Sequence, residues 1–366
     1  MMFNLRLLMV PVFTGMAAFT LAIFNNVDAI NFESLSVPGA AVGATGITPD
    51  FLIKTLVDRM EEIEVQAQSR ADATPVVVQD DGGSAAILGQ YFGLTPLLHV
   101  VQTSFGLIPH TFSGEVVIDG KEMEMILRGS DNNHNESLIR TRAPVGDVDA
   151  LVTKTAYEMM RVVDPTLLAA YQFKKDYLTR DFTGTEEVIR RALSSDDTPH
   201  HKWVMNLWGI VLYQEGDFNG ALDKFRLASE LDPAFTSPVL NSGVVLLRQG
   251  KREEAITKFQ QVTKLWRRSA NPDVLAAAYT EWGFALALQG RTADAEAKFK
   301  QAMAADPTFS DVYTAWAEVL SVGGRGDEAQ KMTAKALKLA PVEKVFTDNL
   351  VGRIKELPAA STPVSG

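Results

Sequence analysis

Apolar positions follow three different spacings along the chain. Residues 7–24, LLMVPVFTGMAAFTLAIF, carry no charge over 18 residues, at the lower end of what a membrane-spanning helix needs. From about residue 31 to 165 the apolar residues come in short runs broken by Gly and Pro. From about 166 to 357 they recur at helical spacing and the pattern repeats itself. The first stretch predicts a membrane or signal helix, the second a small α/β domain, and the third a helical solenoid. The expected fold is therefore mainly α.

In the first stretch only Arg6 is charged before the apolar run, while Asn25, Asn26, Asp28 and Glu33 follow it. That asymmetry predicts a chain whose bulk leaves the cytoplasm. Pro11 and Gly15 are tolerated inside a membrane. Residues 1–30 are thus expected to be an uncleaved signal anchor, giving a single-pass inner-membrane protein with its bulk in the periplasm. The alternative is a signal peptide cut near Val27-Asp28-Ala29, leaving a soluble periplasmic protein.

Within 31–165, NFESLSV predicts a strand stopped by Pro38 and a Gly/Ala-rich loop. Thr48, Pro49 and Asp50 then provide a cap, a first-turn proline and an early acid. Leu52, Leu56, Met60 and Ile63 carry a helix to about Gln68. Val76–Val78 predicts a short strand, Ala85–Phe92 a short helix and Leu98–Thr103 another strand. Gly114–Ile118 and Lys121–Leu127 flank Asp119-Gly120, a two-residue hairpin signature. Ser137–Arg142 predicts the next strand, and Asp147 caps a helix through Met159. The ends of this pattern resemble the amino-terminal domain of TolB and its relatives, through Gly46-Ile47-Thr48-Pro49-Asp50 at one end. At the other stand Gly114-Glu115-Val116, the Asp119-Gly120 turn, the strand 137–142 and the helix 147–162. The resemblance implies a domain that binds protein partners and does no chemistry.

Self-comparison at a period of 34 orders the rest into four units, 202–235, 236–269, 276–309 and 310–343, with an insertion at 270–275. Gly209, Gly243 and Gly283 share repeat position 8, which Ala317 occupies in the fourth unit. Gly216, Gly250, Gly290 and Gly324 share position 15; Phe225, Phe259 and Phe299 share position 24; Pro233, Pro307 and Pro341 share position 32. These positions resemble the tetratricopeptide repeat. Small residues let two antiparallel helices approach, and no unit buries its apolar face alone. Residues 166–201 are expected to be an adaptor of two helices or a divergent fifth unit, with Phe173 and Thr185 where small residues would stand. Residues 344–357 are expected to be a capping helix facing inward through Phe346, Leu350 and Ile354. Residues 358–366 are expected to be a disordered tail.

The repeat resemblance also implies a concave groove lined by positions 2, 5, 9, 12 and 13 of each first helix. These are Trp203, Asn206, Ile210, Tyr213 and Gln214, then Leu240, Val244, Leu247 and Arg248, then Thr280, Phe284 and Leu288. Asp311, Thr314 and Glu318 follow in the fourth unit. The groove starts aromatic and aliphatic and ends acidic. It lacks the cations that clamp a peptide carboxylate, so an apolar partner segment is the expected ligand. A competing reading has Trp203 and Tyr213 packing on the adaptor helices.

Composition narrows the chemistry. The 366 residues include no Cys and five His, which removes disulfide, zinc-ribbon, iron–sulfur and thiol chemistry. Net charge is −10, unsuited to nucleic acid. Residues 1–201 hold 15 Lys and Arg against 26 Asp and Glu, and residues 202–344 hold 18 against 17. The acid therefore belongs to the first half.

His200-His201 predicts a solvated loop rather than a metal site, and Asp80–Gly83 a turn. Glu61, Glu62, Glu64, Glu186 and Glu187 predict solvated helix faces. Asn135-Glu136-Ser137 is a formal glycosylation sequon. Lys264, Arg267 and Arg268 complete a helix terminus. No catalytic, metal or cofactor motif appears. The expected function is a non-enzymatic scaffold of the cell envelope that holds a protein partner in its groove. The alternative is a regulatory protein whose α/β domain binds a small ligand.

Overall fold

Where Thr48 precedes Pro49, the chain starts a helix for stated reasons. The Thr48 Oγ1 accepts from the Phe51 amide at 3.3 Å, and proline needs no donor there. The computed structural model describes residues 30–68, 110–131, 136–194, 201–269 and 272–339. Two compact units divide between Leu168 and Ala169, except that Ala67 and Gln68 fall with the second.

The first unit holds a four-stranded sheet, β1 (Ile30–Ser36), β2 (His110–Asp119), β3 (Glu122–Asp131) and β4 (Glu136–Pro144). Spatial order follows chain order. β1 runs parallel to β2, with a register shift between Phe32 and Ser34, and the other pairs are antiparallel. Helices α1 (Gly39–Thr45), α2 (Pro49–Gln68) and α3 (Val148–Val163) complete it. Phe112, Val116, Met123, Met125, Leu127, Ile139 and Ala143 make the buried face of the sheet. Thr141 on that face meets Thr155 of α3 at 2.5 Å, hydroxyl to hydroxyl. Asp147 caps α3 by accepting from the Ala150 amide at 3.1 Å. Arg59 of α2 pairs with Asp149 of α3 at 2.6 Å.

Two expectations for this unit are corrected. The Gly/Ala-rich stretch after Pro38 is helical. The Pro38 carbonyl accepts from Ala41 and Val42, and Gly46 closes α1 in the left-handed conformation. The hairpin turn sits one residue later than read, on Gly120 and Lys121, because Asp119 pairs with Glu122. Gly120 takes a φ of 61°, and Lys121 is not among the residues with positive φ. That is the arrangement with glycine at the first central position. The strands expected at 76–78 and 98–103, the helix at 85–92 and the Asp80–Gly83 turn lie outside the described residues.

The second unit is helical: α4 (Pro165–Thr179), α5 (Thr183–Leu193), α6 (His201–Glu215), α7 (Phe218–Leu231), α8 (Ser237–Arg248), α9 (Arg252–Ser269), α10 (Pro272–Leu288), α11 (Thr292–Ala305), α12 (Ser310–Val322) and α13 (Gly326–Leu339). α4 begins in the first unit and continues into the second. The glycines at repeat position 8 meet the aromatic at position 24. A Cβ on Gly209, Gly243 or Gly283 would lie 2.5, 2.4 or 2.8 Å from a ring carbon of Phe225, Phe259 or Phe299. The fourth unit has no such ring, since Thr333 stands at its position 24, and Ala317 takes the glycine's place.

The position-15 glycines turn the chain with φ between 73° and 85°, a region that glycine enters without cost. Residues 272–275 of the insertion lengthen the first helix of the third unit. α10 therefore has 17 residues where α8 has 12.

In the adaptor, α4 and α5 form the expected helix pair. Phe173 stacks on Phe182 with centroids 5.5 Å apart. Thr185 is accommodated because Asp176 Oδ2 accepts from both its amide and its hydroxyl, at 2.8 and 2.7 Å. Among the described residues no helix is long and apolar enough to cross a membrane. Residues 7–24, the expected capping helix and the tail after it lie outside them.

Candidate functional site

First helices α6, α8, α10 and α12 each pair with the following helix, so their remaining faces define the concave side. The Trp203 ring meets Phe235, after α7, at a centroid distance of 4.2 Å and 60°. Lys202 lies over the Trp203 ring at 5.2 Å and pairs with Asp232 at 2.8 Å. The hydrogen bond from Lys202 holds the Asp232 carboxyl below its usual range, helped by the Ala234 and Phe235 amides and opposed by burial.

Tyr213 leans on Phe218 at 5.9 Å, and its hydroxyl accepts from Arg248 Nε at 3.0 Å. Gln214 is the residue tied to the adaptor, since its Oε1 accepts from Arg180 at 2.7 Å. Nearby Glu215 is raised above the ordinary glutamate range, by burial first and then by the charges of Glu186 and Asp217.

Of the twelve expected groove residues, eight are buried: Asn206, Ile210, Leu240, Val244, Leu247, Thr280, Phe284 and Leu288. Trp203, Tyr213 and Gln214 are half-buried and Arg248 is exposed. The accessible part of the groove is therefore α6 with Trp203, Tyr213 and Gln214, joined by Arg248 at the end of α8. Thr280 spends its hydroxyl on the Ala276 carbonyl at 2.8 Å. In the fourth unit Asp311 and Thr314 are half-buried and Glu318 is buried.

The structure brings Asn206 against Asn241, which the repeat positions had not singled out. Asn241 Nδ2 donates to Asn206 Oδ1 at 2.9 Å, and both residues are 1% exposed. Asn206 Nδ2 and Asn241 Oδ1 have no partner, nor has the Ser237 hydroxyl one turn before Asn241. The signal available in sequence was a polar pair, Asn241-Ser242, inside the apolar run from Val239 to Leu247. A second recurrence was also readable: Trp at repeat position 7 with Lys at position 23. Lys224 lies 3.6 Å from the Trp208 ring centroid, and Lys298 lies 3.6 Å from that of Trp282. Burial lowers the Lys298 pKa, with Asp294 opposing.

The remaining sequence features are ordinary. Glu186 pairs with Arg190, and Glu62 with Arg59. His201 starts α6, and His200 lies outside the described residues. No group of three or more metal-ligating side chains occurs among the described residues.

Residues 235–308 and 286–346 match two family models, each described as tetratricopeptide repeat. No curated protein matches the chain. Among solved structures, the chain is similar to TTC0263, a thermophilic TPR protein of Thermus thermophilus. That match has 24% identity, 52% of this chain, 98% of that chain and a TM-score of 0.42. MamA 41-end of Desulfovibrio magneticus RS-1 matches at 16% identity over 50% of this chain and 98% of its own, with a TM-score of 0.36. YrrB, titled a TPR protein with an unusual peptide-binding site, matches at 19% identity over 56% and 97%, with a TM-score of 0.33. Repeats of this family generally mediate protein–protein contacts and are generally non-enzymatic. Residues 235–346 thus match the tetratricopeptide repeat models over the stretch where the sequence repeats at a 34-residue period.

Proposed function

We propose that the chain is a non-enzymatic scaffold of the cell envelope that binds a partner protein's segment at the α6 and α8 end of the groove. One observation carries this reading: the Asn206–Asn241 pair keeps one donor and one acceptor unmet. Turning both amides preserves that count, because each side chain exchanges one group for the other. A main-chain peptide unit brings one C=O and one N–H, which is the complement. Half-buried Trp203 and Tyr213 and exposed Arg248 supply apolar and polar surface beside it. The envelope setting is supported by the uncharged run 7–24 with Arg6 before it. The sheet unit, with its TolB-like pattern, adds a second protein-contact module in this reading.

A photo-crosslinking residue at position 248 in intact cells tests it. The expected result is one dominant crosslinked protein, reduced at least tenfold by Trp203→Ala with Tyr213→Ala. Recovery of no specific protein, or an undiminished yield in the double variant, overturns the reading. Protease protection in fractionated cells checks the topology, with protection of the bulk in intact cells as the expected outcome.

A further inference from the structure

We propose that the concave side of the second to fourth repeats is a docking surface for the chain's own C-terminal segment, residues 342–357. The first observation is burial on every face. In α8 each residue from Ser237 to Leu247 is buried. In α10 so are Val274–Ala278, Thr280, Glu281 and Gly283–Leu288. α12 follows with Val312, Tyr313 and Ala315–Leu320. A solenoid's first helix loses two faces to its neighbours and keeps the third toward the groove, so burial all round needs a cover. The second helices keep a solvent face: Thr292, Ala293, Asp294, Ala297, Lys300 and Gln301 of α11 are exposed. α6 also keeps half-exposed residues, Trp203, Met205, Trp208 and Tyr213. The cover therefore begins after α6.

The supply of cations and the apolar spacing point to the occupant. Glu281 and Glu318 are 8% and 6% exposed on α10 and α12, and buried carboxylates require cationic or donor partners. Both have partners, as has Asp311. Outside the described residues, 1–29 carries only Arg6 as a cation and 69–109 only Arg70. The C-terminal segment carries three cations, Lys344, Arg353 and Lys355, balanced by Glu343, Asp348 and Glu356, so it offers cationic partners without net charge. Its apolar residues Phe346, Leu350 and Ile354 fall on one face at helical spacing, matching Leu240, Leu247, Phe284 and Leu288.

Length agrees. Thirteen helical residues, 345–357, span about 20 Å. Two interaxial steps of about 8–10 Å join three neighbouring helices, and three first helices are covered. The chain leaves α13 with Leu337 and Leu339 exposed, a few residues before this segment. The groove's own ligand is thus an amphipathic segment with three cations and three acids, held in cis. A partner reaching beyond the α6 end would have to displace it. The proposal shares the groove with the functional reading above, but its test needs no partner.

The full chain has no cysteine, so introduced pairs report cleanly. Thr314→Cys on α12 is combined in turn with Phe346→Cys, Leu350→Cys and Ile354→Cys. Each pair is treated with a short bis-maleimide and mapped by mass spectrometry. Controls combine Leu350→Cys with Thr257→Cys on the exposed side of α9, and Thr314→Cys with Thr14→Cys or Ser84→Cys. At least one tail pair is expected to crosslink within a single chain, tenfold above every control. Arg353→Glu with Lys355→Glu is expected to cut that yield at least fivefold without changing the circular dichroism spectrum. Equal crosslinking to Thr257→Cys overturns the proposal. So does preference for Thr14→Cys or Ser84→Cys, or crosslinking only between two chains. An undiminished yield in the charge-reversed variant removes the electrostatic argument for this occupant.

Discussion

The sheet unit and the repeat unit solve one packing problem in the same way. In the sheet, a Cβ on Gly129 of β3 would lie 2.5 Å from the Phe112 ring of β2. In the repeats, a Cβ on Gly243 would lie 2.4 Å from the Phe259 ring. Both rings are fully buried, and each glycine is the floor on which a ring rests. The difference is recurrence. The helical contact appears three times, 34 and then 40 residues apart across the six-residue insertion, while the sheet contact appears once, through the pairing of Phe112 with Gly129. A repeated contact is visible along the chain, and a single one is visible only when the register is known.

The largest way to break this comparison is to remove a ring. Phe259→Ala is expected to cost about 4 kcal/mol, and Phe112→Ala about the same. Urea unfolding followed at each unit would check both. Because repeats depend on their neighbours, the loss at Phe259 should loosen α8–α11 together. A cost below about 1 kcal/mol at either ring would mean that the ring is not the anchor.

Filling the floor comes next. Gly243→Ala and Gly129→Ala are each expected to destabilise by about 2 kcal/mol, since the added methyl overpacks a buried ring. For Gly243 this reverses the gain of about 1 kcal/mol that helix propensity alone predicts. The fourth repeat supplies the control. Ala317 faces no position-24 ring, so Ala317→Gly should destabilise by about 1 kcal/mol, the ordinary propensity cost. Thermal melts that show Gly243→Ala as stabilising would sink the shared-floor account.

Recurrence also explains what could be read from sequence. The 34-residue period located α6 to α13 and the roles of Gly209, Gly216 and Phe225, because each position was tested several times. Period-2 alternation and a capping Asp147 located β2 to β4 and α3. α1 was missed because Gly39, Ala40, Ala41 and Gly43 carry no apolar periodicity, so only the Pro38 carbonyl and the Gly46 cap reveal it. The turn slipped by one residue because Asp119-Gly120 and Gly120-Lys121 both offer a glycine, and only cross-strand pairing chooses between them. The groove was placed by repeat position, which fixes a helix face but not what covers it. Hence Leu240 and Phe284 were read as lining and found buried, and Asn241 was passed over until its amide met Asn206.

That asparagine pair has no counterpart at the corresponding positions of the other repeats, Thr280 and Glu281 or Thr314 and Ala315. Asn241→Leu alone should cost about 1–3 kcal/mol, because it leaves the Asn206 amide buried without its partner. Asn206→Leu with Asn241→Leu should return to within about 1 kcal/mol of the parent, since both orphaned groups leave together. The same double variant should lose the partner crosslinked from position 248. A double variant as unstable as the sum of the singles would instead make the pair a structural fixture, and the groove would lose its main-chain reader.

The smallest expected effect lies at the rim, where Lys202 and Asp232 fix the Trp203–Phe235 contact. The Asp232 carboxyl is held below its ordinary value chiefly by the Lys202 hydrogen bond. Between the unfolded and folded pKa values the unfolded chain binds the extra proton, so stability there rises with pH. The contribution is fully present above the ordinary aspartate range, near pH 4, and disappears as pH falls through the lowered folded value. Both side chains keep about a quarter to a third of their surface in water, so the pair should be worth about 0.5 kcal/mol. Lys202→Met should therefore lower stability by that amount at pH 7 and by almost nothing at pH 2.5, measured by urea unfolding at both. A loss as large at pH 2.5 as at pH 7 would assign the effect to the lysine's stem packed over the two rings rather than to its charge.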